Sequence, residues 1–348
     1  MKISCLILAA GKGTRMKSSL PKVLHPVFFQ PMVCHVLDSV SALPLAQTIV
    51  VVGHQHEMVQ GVLHNYNVSF VVQEEQNGTG HAVLVCGEMV ASDCDTVLIL
   101  CGDTPLVRSD TLQQMIDRHQ ANQNIITIMS TKVDTPTGYG RMVCDDQEQL
   151  LEIVEEKDAS EDQRSIKEIN GGIYLVNREF LFSALAQVDT NNAQGEVYLT
   201  DIVKKGNESG TKVSSFLCND SQEILGVNSR QELAQAHDIK QQELFVKLWD
   251  SGVSLQRPST LSIHPATSIG QDTVVHANCT INHNVFIGRH CDIGSHTYIK
   301  NSYIGDDVLV GSGSVLIGAK IESGNVVSPG TVTVTENKIS ISVEDGSS

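Results

Sequence analysis

Two glycines and two cations follow a short apolar run in Leu8-Ala9-Ala10-Gly11-Lys12-Gly13-Thr14-Arg15-Met16, continued by Leu20-Pro21-Lys22. Glycines placed after a strand let successive backbone N–H groups turn towards a phosphate chain, and Arg15 and Lys22 add fixed positive charge. The chemistry on offer is anion binding. A tight turn with solvated Lys and Arg competes with that reading while the motif is taken alone. Two better-known phosphate cradles fit badly. The dinucleotide fingerprint wants a third Gly where Met16 stands, and the P-loop wants Gly-Lys-Ser/Thr after four spacer residues. Neither a dehydrogenase nor a P-loop kinase is supported.

A second chemical feature closes the apolar run 96–103, where Gly102-Asp103-Thr104-Pro105 leaves a carboxylate at a strand end. In an open α/β sheet that end faces the ligand, so Asp103 is placed to hold Mg²⁺ against a triphosphate. Asn228, in Gly226-Val227-Asn228-Ser229, is the candidate for a second hard ligand, where the chain could return to the same edge. Alone, Asp103 fits a helix N-cap as well as a metal site, and Asn228 fits a cap or turn. Further polar clusters at 73–80, 137–141, 155–157, 170–172 and 192–200 read singly as Gly- and Asn-containing turns. Their joint occurrence points to a site.

These residues need a scaffold. Apolar runs at 3–9, 48–52, 69–73 and 96–103 alternate with helix-like stretches at 32–43 and 80–90. That alternation predicts a doubly wound, Rossmann-like α/β domain with a mainly parallel sheet over residues 1–228. A polar stretch with apolar residues at helical spacing, 229–251, reads as a connector helix. From 252 to 335 the period changes to six: Ile263, Ile269, Val275, Ile281, Ile287, Ile293 and Ile299, then Ile304, Val310 and Leu316, then Ile321 and Val327. Gly follows Ile in Ile269-Gly270, Ile287-Gly288, Ile293-Gly294 and Ile304-Gly305. A hexapeptide period predicts a parallel β-helix, whose coils bury one another's faces. Residues 336–348 read as a polar, acidic tail.

Composition removes whole classes of function. With 348 residues, 41% of them hydrophobic, the chain can bury a proper core in two domains. A net charge of −16, from 40 acidic against 24 basic residues, argues against nucleic acid or an anionic membrane as partner. Nine scattered cysteines without a CxxC pair suit a reducing cytoplasm and form neither a disulfide framework nor a zinc site. The N-terminal run lacks the length and cleavage pattern of a signal peptide, and no stretch approaches a membrane span.

The segments LAAGKGTRM, LPKVLH, EEQNGTGHA, GDTPL, PTGYGR, EEKDA, EINGGIY, NNAQGEVYLTDI and GVNSR follow one another across residues 5–230. In order and spacing the chain resembles the N-acetylglucosamine-1-phosphate uridyltransferase family, the N-terminal half of a bifunctional enzyme that also carries an acetyltransferase. The resemblance extends through the connector helix into the first coils of a shortened left-handed β-helix. It implies a Mg²⁺-dependent reaction of UTP with N-acetylglucosamine 1-phosphate, giving pyrophosphate and UDP-N-acetylglucosamine for cell-wall synthesis. It implies that Leu8, Ala9, Ala10 and Gly11 with Gln73, Gly78 and Thr79 hold the uridine, and that Arg15 and Lys22 face the phosphates as the catalytic cations. Cys101, Gly102 and Asp103 complete the nucleotide contacts, while Asp103 and Asn228 hold Mg²⁺. Gly140, Glu155, Asn170 and Thr200 line the amino-sugar pocket, with Tyr198 and Glu196 nearby.

Two departures from the family stand out: Cys101 where an aromatic residue is expected, and Gly171 in place of a hydroxyl residue beside Asn170. Two other functions compete: a uridylyl- or thymidylyltransferase for glucose 1-phosphate, and a non-catalytic trimeric scaffold or sugar-nucleotide sensor. The repeat predicts a homotrimer. Acetyl transfer is not expected. In the family that site lies on later coils, and His264, His276, His283, His290 and His296 read as corner histidines without the orienting partner that general-base work requires.

Overall fold

The computed structural model describes residues 1–11 and 13–335, so Lys12 and the polar tail expected at 336–348 lie outside the described residues. The chain divides into two compact units, Met1–Ala236 and His237–Ser348.

The first unit is built on a nine-stranded sheet. Its chain order is β1 (Ile3–Ala9), a hairpin of β2 (Pro26–Val27) and β3 (Gln30–Pro31) outside the sheet, α1 (Met32–Ser41), β4 (Gln47–Val52), α2 (His56–Val62), β5 (Ser69–Val72), α3 (Thr79–Leu84), β6 (Thr96–Cys101), α4 (Ser109–Ala121) and β7 (Ile126–Lys132). Then come β8 (Arg141–Cys144), β9 (Leu150–Val154), α5 (Glu161–Arg164), β10 (Glu168–Asn177), α6 (Arg178–Leu185), α7 (Asp201–Glu208) and β11 (Val213–Leu217). The strand order is β11-β7-β10-β6-β1-β4-β5, with β8 and β9 added beside β10.

The central strand β1 is parallel to both β4 and β6. Ile3, Cys5, Leu6 and Ile7 are buried on both of its faces, which is why the sequence there is a continuous apolar run without alternation. The sheet departs from pure parallel pairing at β10, which lies antiparallel between β6 and β7. Its register with β7 shifts between Asn170 and Tyr174. An irregularity of that kind re-aims side chains beside a site.

Helix α8 (Arg230–Asp250) begins in the first unit and ends in the second. The remainder of the second unit is a three-sided, left-handed parallel β-helix, its sheets holding five, five and four short strands. Successive coils pair in parallel, as in Val275↔Ile293↔Val310↔Val327. Ile263, Ile281, Ile287, Ile293, Ile299, Ile304 and Leu316 are fully buried, so the six-residue period is the inward row of the prism. One expectation needs correction. The corner histidines are not lone residues. His276 Nε2 lies 3.0 Å from Asp292 Oδ1, His290 Nδ1 3.8 Å from Asp272 Oδ2 and His296 Nε2 3.4 Å from Asn278 Nδ2, because parallel pairing brings the neighbouring coils' side chains together. His283 Nδ1 lies 2.9 Å from Asn282 Oδ1, and His264 Nδ1 accepts from the Ala266 N–H at 3.1 Å.

Candidate active site

Strands β1 and β6 end at one edge of the sheet, and the ladder continues one residue further, where the Gly102 N–H donates to the Leu8 carbonyl at 2.9 Å. Beyond β1 the chain enters a left-handed turn at Gly13 (φ 59°) and one 3₁₀ turn, Thr14–Met16. A side chain at Gly13 would sit 2.5 Å from Lys22 Cβ, so glycine there lets the Lys22 stem pass under the loop. The loop thereby aims both cations at the end of β6.

Four side chains converge. The Lys22 ammonium is ion-paired with the Asp103 carboxylate and donates to Asn228 Oδ1 at 2.7 Å, to which Arg15 Nη2 also donates at 2.8 Å. Asp103 does not cap a helix, since the next one, α4, has Arg108 at its N-cap. Asn228 reaches this edge because the Val227 N–H donates to the Asp103 carbonyl at 2.9 Å. A capping box at the start of α8 then fixes the turn: Glu232 Oε2 accepts from the Asn228 and Ser229 N–H groups, and Ser229 Oγ accepts from the Glu232 N–H. Asp103 and Asn228 present two hard oxygens. Among the described residues no group of three or more His, Cys, Asp or Glu is gathered for a metal. Two such oxygens suit a divalent cation that completes its shell from water and substrate phosphates.

Around these groups lies a cavity of about 390 Å³ lined by Leu8, Ala9, Ala10, Gly11, Arg15, Lys22, Gln73, Gly78, Thr79, Cys101, Asp103 and Asn228. Twelve residues expected at the site thus meet in one cavity, with Gly13, Gln76 and Glu196 beside them. Gly102 stays in the ladder behind them. Glu196 comes from the 192–200 segment, which is folded onto the 77–80 turn through Val197 N–H to the Asn77 carbonyl and Gly80 N–H to the Val197 carbonyl, each 2.9 Å. Gly78 has φ 102° and faces the Val197 carbonyl so closely that a side chain would come within 2.5 Å of it.

Gly140, Glu155, Asn170 and Thr200 do not line that cavity. They form their own cluster: the Asn170 N–H donates to the Gly140 carbonyl at 2.9 Å, and Thr200 Oγ donates to Glu155 Oε1 at 3.3 Å. The Gly172 N–H donates to Asn170 Oδ1 at 2.9 Å, and Cys101 Sγ contacts the Gly172 carbonyl at 3.9 Å, so the irregular part of β10 joins the two groups. Burial raises the Glu155 carboxyl above the usual range, with Asp158, Asp201 and Glu196 adding repulsion against the Thr200 hydrogen bond. Glu155 and Tyr198 face a second cavity of about 430 Å³ with Asp158 and Asp201, whereas Glu196 faces the first.

Both departures have a physical account. Burial pushes the Cys101 thiol up to about 12, so it is a neutral lining group. A side chain at Gly171 would lie 2.5 Å from Ile224 Cδ1 and 3.0 Å from the Met129 carbonyl, so position 171 points into the core. Arg141, in the 137–141 cluster, is buried and paired with Glu156 at 2.6 Å, a structural use.

Sequence reasoning missed two supports. Arg230 Nε donates to the Met16 carbonyl at 3.2 Å, holding the 3₁₀ turn that carries Arg15. Gln76 Nε2 donates to the Ala10 carbonyl at 2.6 Å and ties the 73–80 segment to the loop after β1. Both belonged to quoted segments, and only their unexplained polarity could have marked them.

The model of the family described as nucleotidyl transferase matches residues 4–298. The bifunctional protein GlmU of Desulfotalea psychrophila is 46% identical over 319 residues, which is 92% of this chain and 94% of that protein. GlmU of Heliobacterium modesticaldum is 42% identical over 328 residues, 94% of this chain and 71% of that one. A solved putative glucose-1-phosphate thymidylyltransferase from Bacillus anthracis shares the fold, with TM-score 0.57 and 21% identity over 68% of this chain and 94% of its own. Fold and cavity define an enzyme that transfers nucleotidyl groups between a nucleotide and a sugar phosphate. Within that class the chain belongs to the GlmU family, and it is a sugar-1-phosphate uridylyltransferase.

Proposed function

We propose that the sugar phosphate is N-acetylglucosamine 1-phosphate and that the product is UDP-N-acetylglucosamine. The convergence of Arg15, Lys22, Asp103 and Asn228 on one cavity carries this reading of the reaction. Leu8 to Gly11 with Gln73, Gly78 and Thr79 take the uridine; Gly140, Glu155, Asn170 and Thr200 take the acetamido sugar. A phosphate oxygen attacks the α-phosphorus of UTP, the new P–O bond forms as the α–β bridge breaks, and pyrophosphate leaves. The attacking phosphate is ionised at neutral pH, so no general base is needed. Arg15 and Lys22 bind and orient the phosphates, which is most of what such catalysis asks of a protein. Asp103 and Asn228 would hold Mg²⁺, which when bound supplies neutralising charge to the phosphates.

No described helix is long and apolar enough to cross a membrane. A cytoplasmic homotrimer is the state we propose, with the coils at 252–335 serving assembly and not acetyl transfer. Turnover of N-acetylglucosamine 1-phosphate and glucose 1-phosphate, each with UTP and dTTP, tests the substrate reading. The first sugar with UTP is expected to be fastest; preference for glucose 1-phosphate would overturn it.

A further inference from the structure

Resting on the reading that Asp103 and Asn228 hold the divalent cation, we propose that Lys22 keeps that position closed until a triphosphate arrives. The two oxygens a cation needs are already engaged within the chain: Lys22 is bonded to both Asp103 and Asn228 Oδ1. Of these two oxygens, Arg15 is bonded to Asn228 Oδ1. The Lys22 and Asp103 side chains are 11% and 21% exposed, so water screens their pairing only in part. A free divalent cation must therefore displace the ammonium from both oxygens while standing beside the positive charges of Lys22 and Arg15.

A triphosphate changes the balance. It offers Lys22 and Arg15 new anionic partners, and Lys22 can swing to them on its flexible four-carbon stem. The Gly13 backbone leaves that stem free of a side chain at Cβ. Each ligand thereby removes an obstacle to the other, and such coupling is reciprocal. Lys22 acts twice, as the lock on the cation position and as a ligand of the phosphates.

Mn²⁺ binding followed by electron paramagnetic resonance, with and without UTP and with no sugar phosphate, tests this independently of turnover. The wild type is expected to bind Mn²⁺ weakly alone and more tightly with UTP. Lys22→Met and, as a second neutral variant in case the first fails to fold, Lys22→Gln should bind Mn²⁺ alone about tenfold more tightly, within the range usual for coupled sites. Arg15→Met, which removes the same charge but only one of the contacts, should change it less. Unchanged affinity for Mn²⁺ alone in both Lys22 variants overturns the proposal, as does equal tightening by Arg15→Met, which would mean bulk charge. If Asp103→Asn binds Mn²⁺ with UTP as well as the wild type does, the cation reading itself fails and takes the proposal with it.

Discussion

Asp103 stands at the rim of β6, outside the hydrophobic core, so its removal should cost chemistry and not the fold. Asp103→Ala is expected to abolish turnover with native circular dichroism; wild-type activity across a Mg²⁺ titration would refute the metal assignment. Arg15→Ala should lower turnover by at least ~10²-fold, the usual cost of one electrostatic group in a transition state. Glu155 gives a prediction with a sign. Burial raises its carboxyl in the folded protein, so the folded state binds more protons than the unfolded chain through the upper carboxylate range. Stability attributable to Glu155 is full below its unfolded value and is lost as pH rises through its folded one. Glu155→Gln should therefore melt higher than wild type at neutral pH, with the gap closing as pH falls; a gap independent of pH would contradict this. At this scale charges at strand ends were legible in the sequence. Gly171 was not, because its reason is a packing partner, Ile224, 53 residues away in the sequence (224 − 171).

Elements position these groups through contacts that composition does not disclose. Arg230, at the first turn of α8, braces the Met16 carbonyl. Arg230→Ala should lower kcat on the order of tenfold by loosening Arg15, the worth of about one charge-assisted hydrogen bond, with a much smaller change in KM for the sugar phosphate. Equal loss in kcat and folding stability would make Arg230 merely structural. Helix α4 is anchored to β7 by His119, whose Nδ1 lies 2.8 Å from Thr127 Oγ. Burial pushes that imidazole down from 6.5 to about 4. The unfolded chain binds more protons between those values, so stability is lost as pH falls through that window. His119→Gln should remove this part of the acid loss, measured as the drop in melting temperature between pH 7 and 4.5; an unchanged drop would contradict it. The strand runs and the hexads announced their elements directly, through continuous apolar stretches and a fixed six-residue step. The antiparallel insertion of β10 did not show, because neither its alternating first half nor its buried run 173–176 carries a sign of strand direction.

For the whole molecule, the β-helix exposes Val326, Val332 and Val334 at 62–70% on its last described coils. The homotrimer we propose rests on the repeat itself, whose flat coil faces can pack around a threefold axis. Light scattering should give three chains, and deletion of 253–348 a smaller, less associated and still active protein; a full-length monomer would defeat the idea. Acetyl-coenzyme A with glucosamine 1-phosphate should release no thiol above the control without enzyme, even though His276 has Asp292 beside it. The central claim is uridylyl transfer to an acetamido sugar phosphate at the Arg15, Lys22, Asp103 and Asn228 cavity. Pyrophosphate release from UTP, N-acetylglucosamine 1-phosphate and Mg²⁺ tests it most directly. Release by wild-type protein, lost on chelation and in Asp103→Ala, is the result predicted; no release by folded wild-type protein, or equal release by the variant, would contradict it.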